Sequence, residues 1–171
     1  MSADFVVRVA TSADAPALFA LVNEAYHAES GCRAPGFKLV ERFLAPDELL
    51  PLIAAGSVFV AASAADGAAL GLLAYELLVD AGGVRRAHFG PFATAPRARG
   101  RGVGAALLGA LRDAAAAAGA HSLDGDVVNL RYDLFPLYLS KLGFRVVGRG
   151  VFPVPERCSR PVHFVQIRRD V

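Results

Sequence analysis

Cysteine and lysine are both scarce in these 171 residues, with two of each. Cys32 and Cys158 stand in no CxxC or Cys/His ligand spacing, which excludes a zinc ribbon and a disulfide framework, so no metal is expected. No apolar run approaches the roughly 20 residues of a membrane span. The opening MSADFVVRVATSADA has neither a basic leader nor a long apolar core, and the expectation is a cytoplasmic protein with no membrane partner. Lys38 and Lys141 are the only lysines, so arginine carries nearly all the positive charge. The formal net charge of +2 is too small to argue for a nucleic-acid partner. With 54% hydrophobic and 20% charged residues the chain is no disordered segment, and its length suits a single domain over 1–171.

Against this background one stretch stands out, APRARGRGVGAALLGALRDA at 95–114. Arginines and glycines interleave just where a run of helix formers begins. Free N–H groups at a helix start, no Cβ bulk and nearby guanidinium groups make a place for a polyphosphate. No Lys-Ser or Lys-Thr follows the glycines, so this is no P-loop. Gly100-Arg101-Gly102-Val103-Gly104-Ala105 does satisfy G-x-G-x-x-A, with Asp124 downstream. A dinucleotide fingerprint, however, follows its strand at once and opens a parallel series. Here Ala95-Pro96-Arg97-Ala98 intervenes, and the remaining chain cannot supply that series.

Periodicity gives the surrounding elements. Residues 5–10 read as a strand, and Ser12 as the N-cap of a helix with Leu18, Leu21, Val22 and Ala25 on one face. Pro46-Asp47-Glu48 starts a short helix interrupted by Pro51. Residues 57–63 and 70–79 are strands joined through Asp66-Gly67, and 84–94 is a further hairpin arm. A helix over about 102–118 stops at Gly119, a strand follows at 121–128, and Asp133 caps a helix through Leu134, Leu137, Tyr138 and Leu142 to Gly143. Strands at 144–151 and 161–168 close the chain. The order predicts an α/β fold with one parallel crossover around the glycine-rich loop.

Arg99-Gly100-Arg101-Gly102-Val103-Gly104 resembles the R/Q-x-x-G-x-G/A signature of the GNAT superfamily of N-acetyltransferases, with Pro96 three residues ahead. Asn129 at a strand end, Tyr138, and Lys141-Leu142-Gly143-Phe144 resemble that superfamily's second hallmark, in a bacterial subgroup of mostly unassigned substrate. The resemblance implies a mixed, mostly antiparallel central sheet of about six to seven strands flanked by helices. Acetyl-CoA would lie in a splayed cleft between the two central strands. It implies transfer of an acetyl group to a primary amine of a small molecule or peptide by direct attack in a ternary complex.

The same resemblance suggests roles. Phe92, Ala93 and Thr94 would pair with the pantetheine arm, with Gly90-Pro91 as the local cause of the splay. Arg99, Gly100, Arg101, Gly102, Val103, Gly104 and Ala105 would hold the pyrophosphate. Arg97 and Arg131 are candidates for the 3′-phosphate or simply solvated surface. Asn129 would bind the pantetheine arm or shape the strand end. Tyr138 would protonate the departing thiolate or hydrogen-bond its sulfur. It stands five residues before Gly143 where the family commonly has four, and one extra residue turns a helical side chain by about 100°. A bulge or altered helix start at Leu134-Phe135-Pro136 would have to absorb the insertion.

Where many members carry a glutamate base, eleven residues before Arg99, this chain has His88, a candidate base or a structural strand histidine. Tyr26 and Glu29, with Glu24 and Glu41, would attract a cationic amine. A homodimer through the strand PVHFVQI is a further expectation. The competing reading is a non-catalytic acyl-CoA-binding or interaction module on the same fold.

Overall fold

The computed structural model describes residues 4–26, 42–43 and 45–171. Strand β1 (Phe5–Val9) leads into a capped helix start. Its N-cap is Thr11 rather than Ser12: the Asp14 carboxylate accepts the Thr11 N–H at 2.7 Å and also takes the Arg8 guanidinium at 2.8 Å. A 3₁₀ turn then runs into α1 (Ala15–Tyr26), which buries Leu18, Leu21, Val22 and Ala25, the face its periodicity predicts. Pro51 does not interrupt the next helix. A 3₁₀ turn over Pro46–Leu49 runs into α2 (Leu50–Ala54), and Pro51 lies in the first turn, where its missing N–H costs nothing.

The meander consists of β2 (Val58–Ser63), β3 (Ala69–Val79) and β4 (Arg85–Thr94). After a 3₁₀ turn at Pro96–Ala98, α3 (Val103–Ala117) buries Val103, Leu107, Leu108, Leu111 and Ala115. There follow β5 (Ser122–Val128), a π-helical turn at Pro136–Lys141, β6 (Arg145–Val151) and β7 (His163–Asp170). Asp133 does not cap that turn; its carboxylate takes the Arg131 guanidinium at 2.9 and 3.0 Å.

Among the described residues these strands form one mixed seven-stranded sheet flanked by helices, in the order β1-β2-β3-β4-β5-β7-β6. β4 and β5 run parallel while the other neighbours are antiparallel. The closing strand β7 lies between β5 and β6. Both its edges are occupied, which removes the expectation that it pairs with a partner chain. Leu18 and Val22 of α1, Leu72 and Leu73 of β3, Leu107 and Leu111 of α3, and Ile167 of β7 are fully buried and tie the helices to the sheet. No helix among the described residues is long and apolar enough to cross a membrane.

Candidate active site

The two central strands part company halfway along. β4 pairs with β5 from Arg86↔Ser122 to Phe89↔Gly125, and there the ladder stops. Beyond it β4 continues to Thr94 against β3, while β5 continues to Val128 against β7. The cause sits at Gly90-Pro91. Leu73 faces Phe92 and Tyr75 faces Phe89, so β4 carries one extra residue opposite β3. Such a bulge bends the strand, and proline has no N–H to give to a ladder.

The open fork exposes a row of backbone groups. The Ala95 N–H donates to the Leu70 carbonyl at 2.9 Å, on the β3 side. By antiparallel alternation Ala93 also faces β3, whereas the N–H and C=O of Phe92 and Thr94 face the fork. Of the three residues expected to line a pantetheine arm, Phe92 and Thr94 are therefore oriented for it. Ala93 is not; it is buried and spends its backbone on β3.

The start of α3 closes over this fork. Gly102 is its N-cap at φ 82°, no side chain caps the helix, and the first i to i−4 bond is Ala106 N–H to Gly102 C=O at 3.0 Å. The N–H groups of Val103, Gly104 and Ala105 thus point out of the helix start without an intrahelical partner. Gly100 also has positive φ, 77°, and together the two glycines make the turn that aims these groups. A Cβ on Gly104 would lie 3.3 Å from the Phe92 ring and 3.7 Å from Thr94 Oγ1, so the helix start stands directly over the fork residues.

What presses it there is Gly71 of β3, where a Cβ would come within 2.8 Å of Val103 Cγ1 and 3.0 Å of the Ala93 carbonyl. That close approach fixes the helix against the sheet. The Val103 side chain is core, so only its backbone is available to a ligand. Arg99, Gly100, Arg101, Gly102 and Ala105 are exposed, and Arg101 is in a 3.4 Å surface pair with Asp4. Arg97 donates to the Ala69 carbonyl at 2.8 Å and Arg131 is held by Asp133, so each is tethered locally.

Tyr138 comes to the closed end of the fork. Its ring packs on Phe89 at 6.3 Å and edge-on to Phe144 at 5.6 Å, and Phe89 is the residue at which β4 and β5 separate. The inserted residue ahead of Gly143 is absorbed in the helix itself: the turn is π, with Leu142 N–H reaching back five residues to the Leu137 carbonyl at 2.9 Å. The ring is buried, and desolvation holds the phenol above its ordinary pKa, so it stays protonated.

His88 lies on the other face. Strand alternation turns it away from Phe89, and its cross-strand neighbours are Glu76 on β3 and Asp124 on β5. Its Nε2 is 3.0 Å from Asp126 Oδ2. An ionised carboxylate only accepts, so in the neutral ring Nε2 carries the proton and Nδ1 keeps its lone pair. The hydrogen bond to Asp126 raises the imidazole pKa above its ordinary value, outweighing the lowering by desolvation, and the charges of Asp126, Asp124 and Glu76 add to the rise. Asp126 escapes a residue-by-residue reading. The alternation in SLDGDVV, which puts Asp124 and Asp126 on one strand face, is the signal that could have found it.

Asn129 shapes the strand end: its side-chain Oδ1 accepts the His163 backbone N–H at 3.1 Å, and its backbone N–H donates to the His163 carbonyl at 3.0 Å. Tyr26, the last residue of α1, reaches into the fork, its hydroxyl 3.4 Å from both the N and the O of Phe92. Glu29 and Glu41 lie outside the described residues, as does Cys32. No cluster of metal-ligating side chains occurs among the described residues.

The model of the acetyltransferase (GNAT) family matches residues 22–144, and the chain belongs to that family. It is by class a GNAT-type N-acetyltransferase. Over 98% of its length it is similar to 98% of a GCN5-related N-acetyltransferase from Kribbella flavida, at 27% identity and a TM-score of 0.71. The fold is shared with a ribosomal-protein-alanine N-acetyltransferase from Brucella melitensis, at 22% identity, coverage of 97% and 99%, and a TM-score of 0.72. It is shared too with yncA from Salmonella typhimurium, solved with its cofactor acetyl-CoA, at 20% identity, coverage of 97% and 93%, and a TM-score of 0.71. The chain has no match among curated protein sequences.

Proposed function

We propose that the protein transfers the acetyl group of acetyl-CoA to a primary amine of a small molecule or peptide, by direct attack in a ternary complex. The observation that carries this is the uncapped start of α3 standing over a fork where the ladder between β4 and β5 has ended. The N–H groups of Val103, Gly104 and Ala105 suit a pyrophosphate, with Arg99 and Arg101 beside them. The cleft-facing backbone of Phe92 and Thr94 suits an amide-bearing arm, as an added strand suits a free sheet edge. The relatives support the same choice, since the Salmonella typhimurium protein holds acetyl-CoA and the Brucella melitensis protein is named for a protein amine.

Acetyl-CoA supplies an activated thioester. The chain's part is to present a neutral amine to it, and an ordinary alkylamine has a pKa near 10.4, so a proton must be removed. His88, with Nε2 committed to Asp126 and Nδ1 available, takes that proton directly or through water. Tyr138, kept protonated by burial, gives one to the leaving sulfur from the opposite face. Burial raises the Cys158 thiol pKa, and a protonated thiol is a poor nucleophile, which supports direct attack over an acyl-cysteine route through that residue. Tyr26 frames the acceptor side of the fork, and Glu29 is proposed to attract the cationic amine by its charge.

The experiment is calorimetric titration with acetyl-CoA, CoA and NADH, of the wild type and of an Arg99→Glu/Gly102→Asp variant checked for folding, followed by an amine panel read by release of free CoA. Saturable binding of the two CoA compounds, lost in the folded variant, with amine-dependent CoA release, is the expected result. No CoA binding by folded wild type overturns the proposal. Binding without turnover on any amine favours the non-catalytic module.

A further inference from the structure

One side chain already reaches into the fork. The Tyr26 hydroxyl lies 3.4 Å from the Phe92 nitrogen and 3.4 Å from the Phe92 oxygen, donating to the carbonyl and accepting from the N–H. These are the two cleft-facing groups nearest the bulge. Tyr26 also packs against the main core and against the small apolar cluster of Leu130 and Phe152, which Val128 at the end of β5 also joins. Tyr26 is therefore in contact both with Phe92 of β4 and with the cluster that the end of β5 joins.

A hydroxyl can satisfy an N–H and a C=O with one atom, because it both donates and accepts. A secondary amide laid along β4 would satisfy the same pair of groups with two atoms, in the geometry of a strand. At 3.4 Å both contacts lie beyond the usual range of about 2.7–3.2 Å for a hydrogen bond from nitrogen and of about 2.5–3.0 Å for one from oxygen. A hydroxyl shared between two distant partners holds neither strongly. The body of α1 is fixed by buried Leu18, Leu21, Val22 and Ala25, so the phenol can leave by its own side-chain torsions without moving the helix.

We propose that Tyr26 is a displaceable stand-in for the pantetheine amide: its hydroxyl satisfies Phe92 while the fork is open, and cofactor entry must expel it. Tyr26 is then an internal competitor of the cofactor on β4. This rests on the cofactor assignment above and adds a residue whose removal strengthens binding.

The test is calorimetric titration of wild type and Tyr26→Phe with CoA and with adenosine 3′,5′-bisphosphate, a nucleotide without the pantetheine arm. Melting temperatures of both proteins are measured alongside. Phenylalanine keeps the ring and its packing and removes only the competing hydroxyl. CoA should bind the variant tighter by about two- to fivefold, the change carried by a modest net hydrogen bond, with the nucleotide unchanged. CoA affinity that is unchanged or weaker in the variant overturns the stand-in while leaving the cofactor assignment intact. An equal shift for CoA and nucleotide also overturns it, because the hydroxyl would then act on the whole cleft. Wild type that binds no CoA overturns the cofactor assignment and this inference together.

Discussion

Gly125 lies where the sheet divides, and replacing it with alanine tests how tightly the fork is packed there. It is the last β5 residue paired with β4, and the Phe89 ring lies across it. A Cβ at this position would be 2.6, 2.8 and 3.0 Å from three atoms of that ring. A lone exposed ring could swing aside. Phe89, however, is hemmed in by Phe92 at 6.2 Å, Tyr138 at 6.3 Å and Phe144 at 5.7 Å, so the clash must be taken up by the cluster or by the strands. Overpacking of this kind costs about 1–3 kcal/mol. Loss of glycine's freedom in the unfolded chain returns about 0.4–1 kcal/mol. The net loss is about 0.5–2 kcal/mol, which for a chain of this size lowers Tm by about 1–8 °C. Differential scanning fluorimetry reads the shift. Because the ring is driven toward Tyr138, acetyl transfer should slow in the same variant. Gly125→Ala/Phe89→Leu should recover part of the loss, a favourable coupling in a double-mutant cycle. A Gly125→Ala protein as stable as wild type would refute the close packing at the fork.

Tyr138→Phe should leave CoA affinity near wild type and lower kcat by about tenfold or more in a steady-state assay of CoA release, below the largest general-acid effects because a thiolate leaves even without a proton. His88 gives opposite pH trends for activity and stability. Its folded pKa is raised above 6.5, so its contribution to stability is complete below that pH and is lost as pH rises through the folded value. As a base it works only when neutral, so kcat/KM should climb over the same interval, and Asp126→Asn should move that limb to lower pH. A limb that stays put in Asp126→Asn would count against the pair. Asp14→Ala removes both the cap on Thr11 and the Arg8 pair, and should cost about 1 kcal/mol in chemical denaturation. Asp14 has a depressed pKa, chiefly through its hydrogen bonds from Arg8, so this difference should be present above about pH 4 and fade as the carboxyl protonates in acid.

The sequence by itself determined the elements and the loop. Alternating and helical apolar patterns placed the seven strands and α3 within a residue or two and gave the buried face of α1, and the glycines with Pro96 marked the helix start, because these signals are local. They also carried the family. Errors arose where two neighbouring residues can do the same job, as with Thr11 and Ser12 at the helix cap, or where a polar residue finds a nearer partner than the cap, as Asp133 does in Arg131.

Only the tertiary structure decided the rest. The π turn at Pro136–Lys141 depends on how Tyr138 packs against Phe89 and Phe144, residues from other strands. Likewise, Gly71 and Gly125 read as unremarkable strand glycines until a helix and a ring are laid against them. The His88–Asp126 pair joins residues 38 positions apart, and the Tyr26–Phe92 contact spans 66. Sequence fixes which face of its strand a side chain occupies. Which residues meet there depends on register between strands, and that is set by the bulge at Gly90-Pro91 and by the packing of the whole sheet.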